Sequence, residues 1–288
     1  MEVLGVEVSL ALLHQWVEWL APDRQPFYLT AKQIALWGLA QDDTEPDRQQ
    51  RDTYHSYGVD GRLRSVWLDE STFMELPRKT RAGLVRAQVV HERGSVPTVR
   101  AWRDVFGPEI RLQADGHRFV WWKSLLRDSA ADVLPRIVSE ALGPSHHREV
   151  PESVWASAAP LLPRARELAG TFPDGSGPNC FGTVMAAAGV EGAADTWMQR
   201  EPFDQWLADN TTRGGRDDVP GTVLVWRDDN RLVQHAAITI GAGWTLHKPS
   251  QSWTSPRKIR TAPEVRRSTR TPGWHLTRHT LHPGHHPP

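Results

Sequence analysis

The stretch Pro220-Gly221-Thr222-Val223-Leu224-Val225-Trp226 enters from a turn and continues as an apolar strand. A second segment, Gln234-His235-Ala236-Ala237-Ile238-Thr239-Ile240-Gly241, opens with a histidine, and the turn Asp228-Asp229-Asn230 precedes it. After the turn Gly241-Ala242-Gly243 comes a third segment, Trp244-Thr245-Leu246-His247-Lys248-Pro249. Short apolar segments separated by tight turns are typical of hairpins. The stretch therefore predicts three consecutive antiparallel strands of one sheet.

Two histidines lie on the second and third of these segments. His235 and His247 are twelve positions apart, with a three-residue turn between their strands. Side chains at matching positions of neighbouring antiparallel strands lie on the same side of the sheet and close together. We therefore expect the two imidazoles to face the same side of the sheet and to lie near each other.

The only cysteine of the chain lies upstream of these strands. Asp174-Gly175-Ser176-Gly177-Pro178-Asn179 is a Gly/Pro-rich loop, and Cys180 begins the apolar helical segment that follows. In a first helical turn the free N–H groups and the helix dipole favour a thiolate, and they can also hold an oxyanion. The alternative is that Cys180 is a small buried core residue.

Cys180, His235 and His247 together have the side chains of an activated nucleophile. A nucleophilic thiol needs a base that takes its proton and a polar group that orients the base. We expect Cys180 to be the nucleophile, His235 the base and His247 the orienting group. A single cysteine rules out an internal disulfide and a multi-thiolate zinc site, and we expect no cofactor and no metal.

These segments resemble the NlpC-type branch of the papain-like cysteine peptidases and amidases. The resemblance lies in a Cys at a helix start, a Pro-Gly-x-Val-Leu-Val-Trp strand, and His-x-x-Ile-x-Ile-Gly followed by a polar residue on the next strand. It covers residues 150 to 282 and implies an α+β fold in which a helix carrying Cys180 packs on an antiparallel sheet. It also implies the nucleophile, base and orienting roles for Cys180, His235 and His247.

The chain departs from this family around the nucleophile. The family usually has Asp-Cys-Ser-Gly where this sequence has Asn179-Cys180-Phe181-Gly182. No Tyr or Gln shortly before the cysteine can donate to an oxyanion, so Ser176 and Asn179 are the candidates for that role. The candidate substrate contacts are Gln234, Gln251 and Trp253. We expect a cytoplasmic peptide-like amide as substrate, not the cell-wall peptides that many family members cleave.

Chain length and net charge limit the number of domains and the classes of partner. A chain of 288 residues suits one large or two medium domains. Lys+Arg and Asp+Glu number 34 each, so the neutral chain has no net field that attracts nucleic acid or an anionic membrane. Met1 to Leu10 lack the basic residues of a secretory signal, and no apolar run approaches a membrane span in length. We expect a soluble cytoplasmic protein of open oligomeric state, without nucleic-acid or membrane partners.

The first half of the chain predicts a mixed α/β domain of unknown fold. Apolar residues recur at helical spacing from Ser9 and from Thr30, and residues 41–64 are almost wholly polar. Further elements are predicted as strands at Leu63 to Leu68, Leu84 to His91 and Arg118 to Trp122, and as a helix from Asp128 to Leu142. No catalytic motif occurs in this half.

The polar, proline-flanked segment Gly143 to Glu152 is the best linker in the sequence. We therefore expect an N-terminal domain of residues 1–145 and a papain-like domain of residues 150–288. The first domain is expected to restrict the substrate and to supply no catalytic group. The expected aromatic wall of the substrate groove consists of Trp121, Trp122 and Trp253.

Two groups of residues near the C-terminus are predicted to have no chemical role. Proline-flanked histidines, which predict a flexible tail and not a metal site, are His275, His279, His282, His285 and His286. A basic run without interleaved aromatics, which predicts a solvated face, comprises Arg257, Lys258, Arg260, Arg266, Arg267 and Arg270.

Three functions are compatible with this sequence. The first is a hydrolase in which Cys180 attacks an amide and water releases the acyl-enzyme. The second is an acyltransferase or peptide ligase that hands the same acyl group to an amine or thiol. The third is an inactive module that binds a peptide or a protein. Retention of the thiol and both histidines favours the first two functions.

Overall fold

A computed structural model describes residues 1–94, 96–139 and 143–283. The chain divides into two compact units, one of residues 1–8 with 141–288 and the other of residues 9–140. We call them the C-terminal unit and the N-terminal unit. The first eight residues belong to the C-terminal unit and form the antiparallel strands β1 (Glu2–Val3) and β2 (Val6–Glu7).

The N-terminal unit is mostly helical. Its two strands, β3 (Arg24–Thr30) and β4 (Leu63–Asp69), pair antiparallel along their full lengths. Its helices are α1 (Leu10–Leu20), α2 (Ala31–Trp37), α3 (Arg48–Thr53), α4 (Glu70–Glu75), α5 (Arg78–Val90), α6 (Val99–Phe106), α7 (Lys123–Leu126) and α8 (Ala130–Ser139), with a 3-10 turn at Pro108–Leu112.

Two strands predicted in this unit are wrong. Residues 84–90 lie in α5, because the buried Leu84, Val85, Ala87 and Gln88 recur at helical spacing and give the helix an inner face. Residues 118–122 form no strand, and a single bridge joins Arg118 to Thr98.

Trp121 and Trp122 are core residues of the N-terminal unit. Trp121 packs edge-on against Trp102 at a ring distance of 4.9 Å, and Trp122 lies 5.4 Å from Phe73. Both side chains are buried. Their contacts give them a packing role within this unit in place of the predicted wall of a groove.

The C-terminal unit combines five helices with a larger sheet in the described residues. Its helices are α9 (Glu152–Ala158), α10 (Ala165–Leu168), α11 (Cys180–Ala187), α12 (Arg200–Asn210) and α13 (Ala262–Ser268), with 3-10 turns at His147–Glu149 and Ala193–Asp195. Its further strands are β5 (Thr211–Arg213), β6 (Pro220–Arg227), β7 (Val233–Gly241), β8 (Trp244–His247), β9 (Lys258–Thr261) and β10 (His275–Leu281). The six strands pair in the order β5-β10-β6-β7-β8-β9, every pair antiparallel. The predicted α+β class is thus confirmed.

One side of the sheet, the apolar face, packs against α11. It carries the fully buried residues Val223, Val225, Ala236, Ile238, Leu246 and Ile259. Cys180 and Val184 of α11 belong to the same cluster. Burial of this many aliphatic side chains is the main source of stability for the sheet.

The opposite side, the polar face, carries the residues that alternate with these. Successive side chains of a strand point to opposite sides, so this face includes His235, Thr239, Thr245, His247, Lys258 and Arg260. A small apolar cluster lies on the same side, where Trp226 and Ala237 pack with Val265 of α13. The polar face therefore combines a limited apolar contact with several buried polar groups.

The segment predicted as a linker lies along the edge of this sheet. The N–H of His146 donates to the carbonyl of Ile259 at 2.8 Å, and the N–H of Ile259 donates to Ser145 Oγ at 3.1 Å. The N–H of Ser145 also donates to the carbonyl of Leu4 at 2.8 Å. These residues are thus an integral part of the C-terminal unit.

Of the two predictions about the end of the chain, the flexible tail is wrong for the described residues and the solvated basic face holds only in part. His275 and His279 lie in β10, between β5 and β6, and not in a flexible tail; His285 and His286 lie outside the described residues. In the basic run, Arg257 and Lys258 are buried, although Arg266, Arg267 and Arg270 are exposed. Among the described residues, no helix combines the length and the apolar character that a membrane span requires.

Candidate active site

Cys180 is the first residue of α11, and Asn179 caps this helix. The Asn179 carbonyl oxygen Oδ1 accepts from the N–H of Gly182 at 3.1 Å, and its Nδ2 donates to the carbonyl of Met198 at 2.7 Å. The oxygen and the nitrogen of the side-chain amide are therefore both used in hydrogen bonds that fix the start of the helix. The N–H groups of Cys180 and Phe181 are therefore better placed than Asn179 to receive an oxyanion at this helix start.

The thiol of Cys180 is almost completely removed from solvent. Burial raises its pKa to about 11, although the backbone N–H groups of Ala236 and Phe181 and the Lys248 ammonium act in the opposite direction. The sequence predicts that the helix start favours the thiolate. The structure shows that desolvation outweighs the helix start, so at neutral pH the resting group is the protonated thiol.

The thiol lies beside the first part of β7, which is not yet paired with β8. Ladder pairing between β7 and β8 begins at Ile238 with Leu246, and residues closer to the start of β7 pair with β6 instead. In this part of β7 the backbone N–H of Ala236 favours the Cys180 thiolate, which brings the sulfur to the strand. Ala236 lies on the apolar face with Cys180, whereas His235, the residue before it, lies on the polar face with Trp226. The thiol and the ring of the predicted base therefore lie on opposite sides of β7, and the structure does not bring them together.

His235 and His247 are next to each other on the polar face. Their ring centroids are 6.1 Å apart and the rings are nearly perpendicular. Trp226 contacts His235 on its other side, at a ring distance of 5.4 Å. Nε2 of His235 and Nδ1 of His247 are buried and have no hydrogen-bond partner within the described part of the chain. The spacing of the two residues in the sequence predicts this arrangement.

Both imidazoles are held in the neutral state. Burial lowers the pKa of His235 to about 4. The pKa of His247 is lowered well below its ordinary value, first by burial and then by electrostatic interactions with His235, Lys258 and Arg260. At neutral pH each ring therefore carries one proton and one free lone pair. Such a ring can take a proton from a thiol.

Lys248 is a functional candidate that the sequence analysis missed. It directly follows His247 and is fully buried, and its Nζ donates to the carbonyls of Ser250 at 2.6 Å and Ser252 at 3.0 Å. Its charge favours the Cys180 thiolate. The signal in the sequence was a lysine at the end of an apolar strand, immediately after a candidate catalytic histidine.

The remaining candidate residues fall into two groups. Ser176 Oγ accepts from the backbone N–H of Trp253 at 3.2 Å, and the carbonyl of Gln251 accepts from the N–H of Gly177 at 2.9 Å. These bonds join the loop before Cys180 to the loop after β8. Gln234 donates to Asp228 at 2.8 Å and so stabilises the turn between β6 and β7.

In the described ranges, no group of three or more His, Cys, Asp or Glu side chains is arranged to hold a metal ion. Protein-family models, curated proteins and solved structures were compared with the chain, and none of them matches it. The roles predicted for Cys180, His235 and His247 stay predictions.

Proposed function

We propose that the C-terminal unit is a cysteine-dependent hydrolase that cleaves a peptide-like amide through a thioester at Cys180. The observation that carries this proposal is the position of the thiol at the start of α11, where the N–H groups of Ala236 and Phe181 and the charge of Lys248 favour the thiolate. The candidate base and orienting group, His235 and His247, adjoin each other on the polar face, across β7 from the thiol. The resemblance to the NlpC-type papain-like enzymes supports the same three roles.

The two partnerless ring nitrogens suggest how the histidines cooperate. A hydrogen bond from Nε2–H of His235 to Nδ1 of His247 would give both atoms a partner, and it would fix the tautomer of His235. Nδ1 of His235 then carries the free lone pair. His247 acts as an acceptor that orients the base and does not itself move the proton of the thiol.

The reaction starts from a neutral pair. As the sulfur forms a bond to the amide carbon, the thiol proton passes to a base, the role that the resemblance gives to His235, and the N–H groups of Cys180 and Phe181 receive the oxyanion. When the C–N bond breaks, His235 returns the proton to the leaving amine. Water then attacks the thioester with His235 again taking a proton, and the acid and the free thiol are released.

The electrostatics of the site favour this sequence over a permanent thiolate–imidazolium pair. Burying two opposite charges costs desolvation energy for both groups, and a neutral thiol with a neutral imidazole avoids that cost. The nearby Lys248 ammonium favours the negative charge only when it develops on the sulfur. Charge separation is therefore confined to the transition state and the intermediate.

Acylation by p-nitrophenyl acetate tests the proposal without knowledge of the natural substrate. Wild-type protein should release p-nitrophenol and carry an acetyl group on Cys180, detected by mass spectrometry of the peptide. Cys180→Ala should do neither and should retain the wild-type circular dichroism spectrum. Equal release by the wild-type protein and Cys180→Ala, without an acetyl adduct, would mean that Cys180 is a core residue and that the unit is a binding module.

A further inference from the structure

We propose that a cleft beside β5, β10 and β6 of the C-terminal unit binds the phosphate group of a small, hydroxyl-rich molecule. The cleft has a volume of about 540 Å³, which lies in the range of small-ligand sites. Its walls include Arg213, Arg227, Arg231, His275, Thr277 and His279. The inference goes beyond the proposed function, because it requires no reaction at Cys180.

The middle strand of this region, β10, supplies one wall of the cleft. His275, Thr277 and His279 occupy alternate positions of β10, so their side chains lie on the same side of the sheet. Arg213 of β5 lies directly opposite His279, and Arg227 of β6 lies directly opposite His275. Side chains at paired positions of antiparallel strands are neighbours. The register of three strands thus brings two guanidinium groups and two imidazoles together.

Two of the three arginines have donors for a ligand. Arg227 is held by the protein, because its Nη2 donates to Asp204 at 2.9 Å and its Nη1 donates to the carbonyl of Arg231 at 2.9 Å. Within the described ranges, the guanidinium groups of Arg213 and Arg231 make no ion pair or hydrogen bond. A guanidinium is a planar fork of N–H donors that matches two oxygens of a phosphate group.

The two carboxylates that also line the cleft have other partners. Asp228 accepts from the N–H of Leu232 at 2.9 Å and from Nε2 of Gln234 at 2.8 Å, and so stabilises the turn before β7. Oδ1 of Asp229 lies 2.9 Å from Nε2 of His275. The second oxygen of Asp229 can accept from a ligand hydroxyl group. The described walls consist of charged, imidazole and hydroxyl side chains, which suit a phosphorylated polyol better than a nucleobase.

The imidazole of His279 indicates that the cleft favours a negative charge. Burial, Arg227 and Arg213 lower its pKa, whereas Asp204 acts in the opposite direction and more weakly. The two cations therefore outweigh the one carboxylate at this position. A bound phosphate group would reverse that balance and favour the imidazolium. Binding of the anion should thus be coupled to the uptake of a proton by His279.

The hydrogen-bond surroundings of His279 accommodate the protonated ring. Its ring nitrogens lie 3.5 Å from Oγ1 of Thr211 and 3.3 Å from Oγ1 of Thr277. These hydroxyl groups donate to the carbonyls of Leu207 at 2.6 Å and Val225 at 3.3 Å. Because each hydroxyl has one hydrogen, both oxygens can accept from N–H groups of the ring. An imidazolium with two N–H donors therefore fits this position.

Isothermal titration calorimetry with ribose 5-phosphate at low ionic strength tests the site. The full-length protein should bind this probe, and Arg213→Gln should weaken the binding by about 10–100-fold, because charge-assisted hydrogen bonds to the phosphate are lost. Arg231→Asn should weaken it by a similar factor. Arg231 has a φ of 65°, in the left-handed region that asparagine readily adopts, so this variant keeps the turn.

Arg270→Gln is the matched control, because it removes the same charge from an exposed position of the same unit. It should leave the affinity unchanged, as should Cys180→Ala. No binding of ribose 5-phosphate up to about 10 mM, or equal weakening by Arg270→Gln and Arg213→Gln, would overturn the site. Binding of ribose 5-phosphate no tighter than that of inorganic phosphate would overturn the hydroxyl-rich class of ligand.

A titration with sulfate tests the coupling to His279, because the charge of sulfate stays constant near neutral pH. Wild-type protein should bind sulfate about tenfold more tightly at about pH 5.5 than at about pH 7.5, since the anion favours the imidazolium. His279→Gln should lose most of this dependence. His275→Gln should retain it, because His275 is exposed and already adjoins Asp229. A pH dependence that survives in His279→Gln would overturn the position of the anion beside His279.

Discussion

The two faces of the six-stranded sheet differ in the side chains that they bury. On the apolar face, Ala236, Ile238 and Leu246 pack tightly against the helix that begins at Cys180. On the polar face, His235 and His247 keep ring nitrogens without partners among the described residues. An unsatisfied buried polar group costs about 1–3 kcal/mol. Apolar packing on one face thus supports a face that buries polar groups at the expense of stability.

The largest expected effect is on reactivity, and it comes from the polar face. On the proposed function, His235→Ala should slow acylation by p-nitrophenyl acetate by about 10²–10⁴-fold, because the proposed base for the thiol proton is lost. The thermal stability should change little, since the variant also removes a buried atom that lacks a partner. His247→Ala should lose less, about 10–100-fold, because it removes an orienting group. A His247→Ala protein as slow as His235→Ala would show that the two histidines share the proton transfer.

The next effect is on stability, and it comes from the apolar face. Ile238→Ala should lower the free energy of unfolding by about 2–5 kcal/mol, because the side chain is fully buried between β6, β8 and α11. Chemical denaturation measures this change. The control is Leu232→Ala, whose side chain is 43% exposed and whose removal should cost less than about 0.5 kcal/mol. Equal losses in the two variants would contradict the division of roles between the faces.

Acidification should destabilise the protein through the polar face. The pKa of His235 is lowered to about 4 by burial, whereas an unfolded histidine has a pKa of about 6.5. Between these values the unfolded chain binds more protons, so the free energy of unfolding falls as the pH falls, by roughly 1.4 kcal/mol per pH unit at most for this residue. His235→Gln should show a shallower pH dependence across this window. An unchanged slope would contradict a buried, neutral His235.

The smallest expected effect concerns the start of α11. Asn179→Ala should cost about 1 kcal/mol of stability, because the Asn179 side chain accepts from the N–H of Gly182. The acylation rate at Cys180 should change only a few-fold. A 10²-fold loss of rate without a loss of stability would instead assign the oxyanion to Asn179.

The sequence alone predicts the strands that carry the two histidines. Alternating apolar residues and tight turns between Pro220 and His247 indicate local strand structure. The structure has β6, β7 and β8 there. The spacing of His235 and His247 then follows from the turn. In α5 the same reasoning failed, since Val85 and Val90 are β-branched residues that strands favour, whereas burial follows a helical period.

Burial by distant partners was not predictable from a local pattern. Lys258 and Arg260 belong to a basic run that resembles a solvated surface, yet β9 pairs with β8 and carries them onto the polar face. The depth of Cys180 has the same origin, because α11 is enclosed by strands and loops that lie far away in the sequence. The raised pKa of its thiol follows from this enclosure and not from the helix start.

The position of β10 determines when the sheet can be completed during synthesis. This strand is made after the other five, yet it lies between β5 and β6 and pairs with both. Until residues 275–281 have emerged from the ribosome, β6 has an open edge that can pair with another nascent chain. A premature stop before residue 275 would therefore leave an aggregation-prone product, although every residue of the candidate active site would already be present.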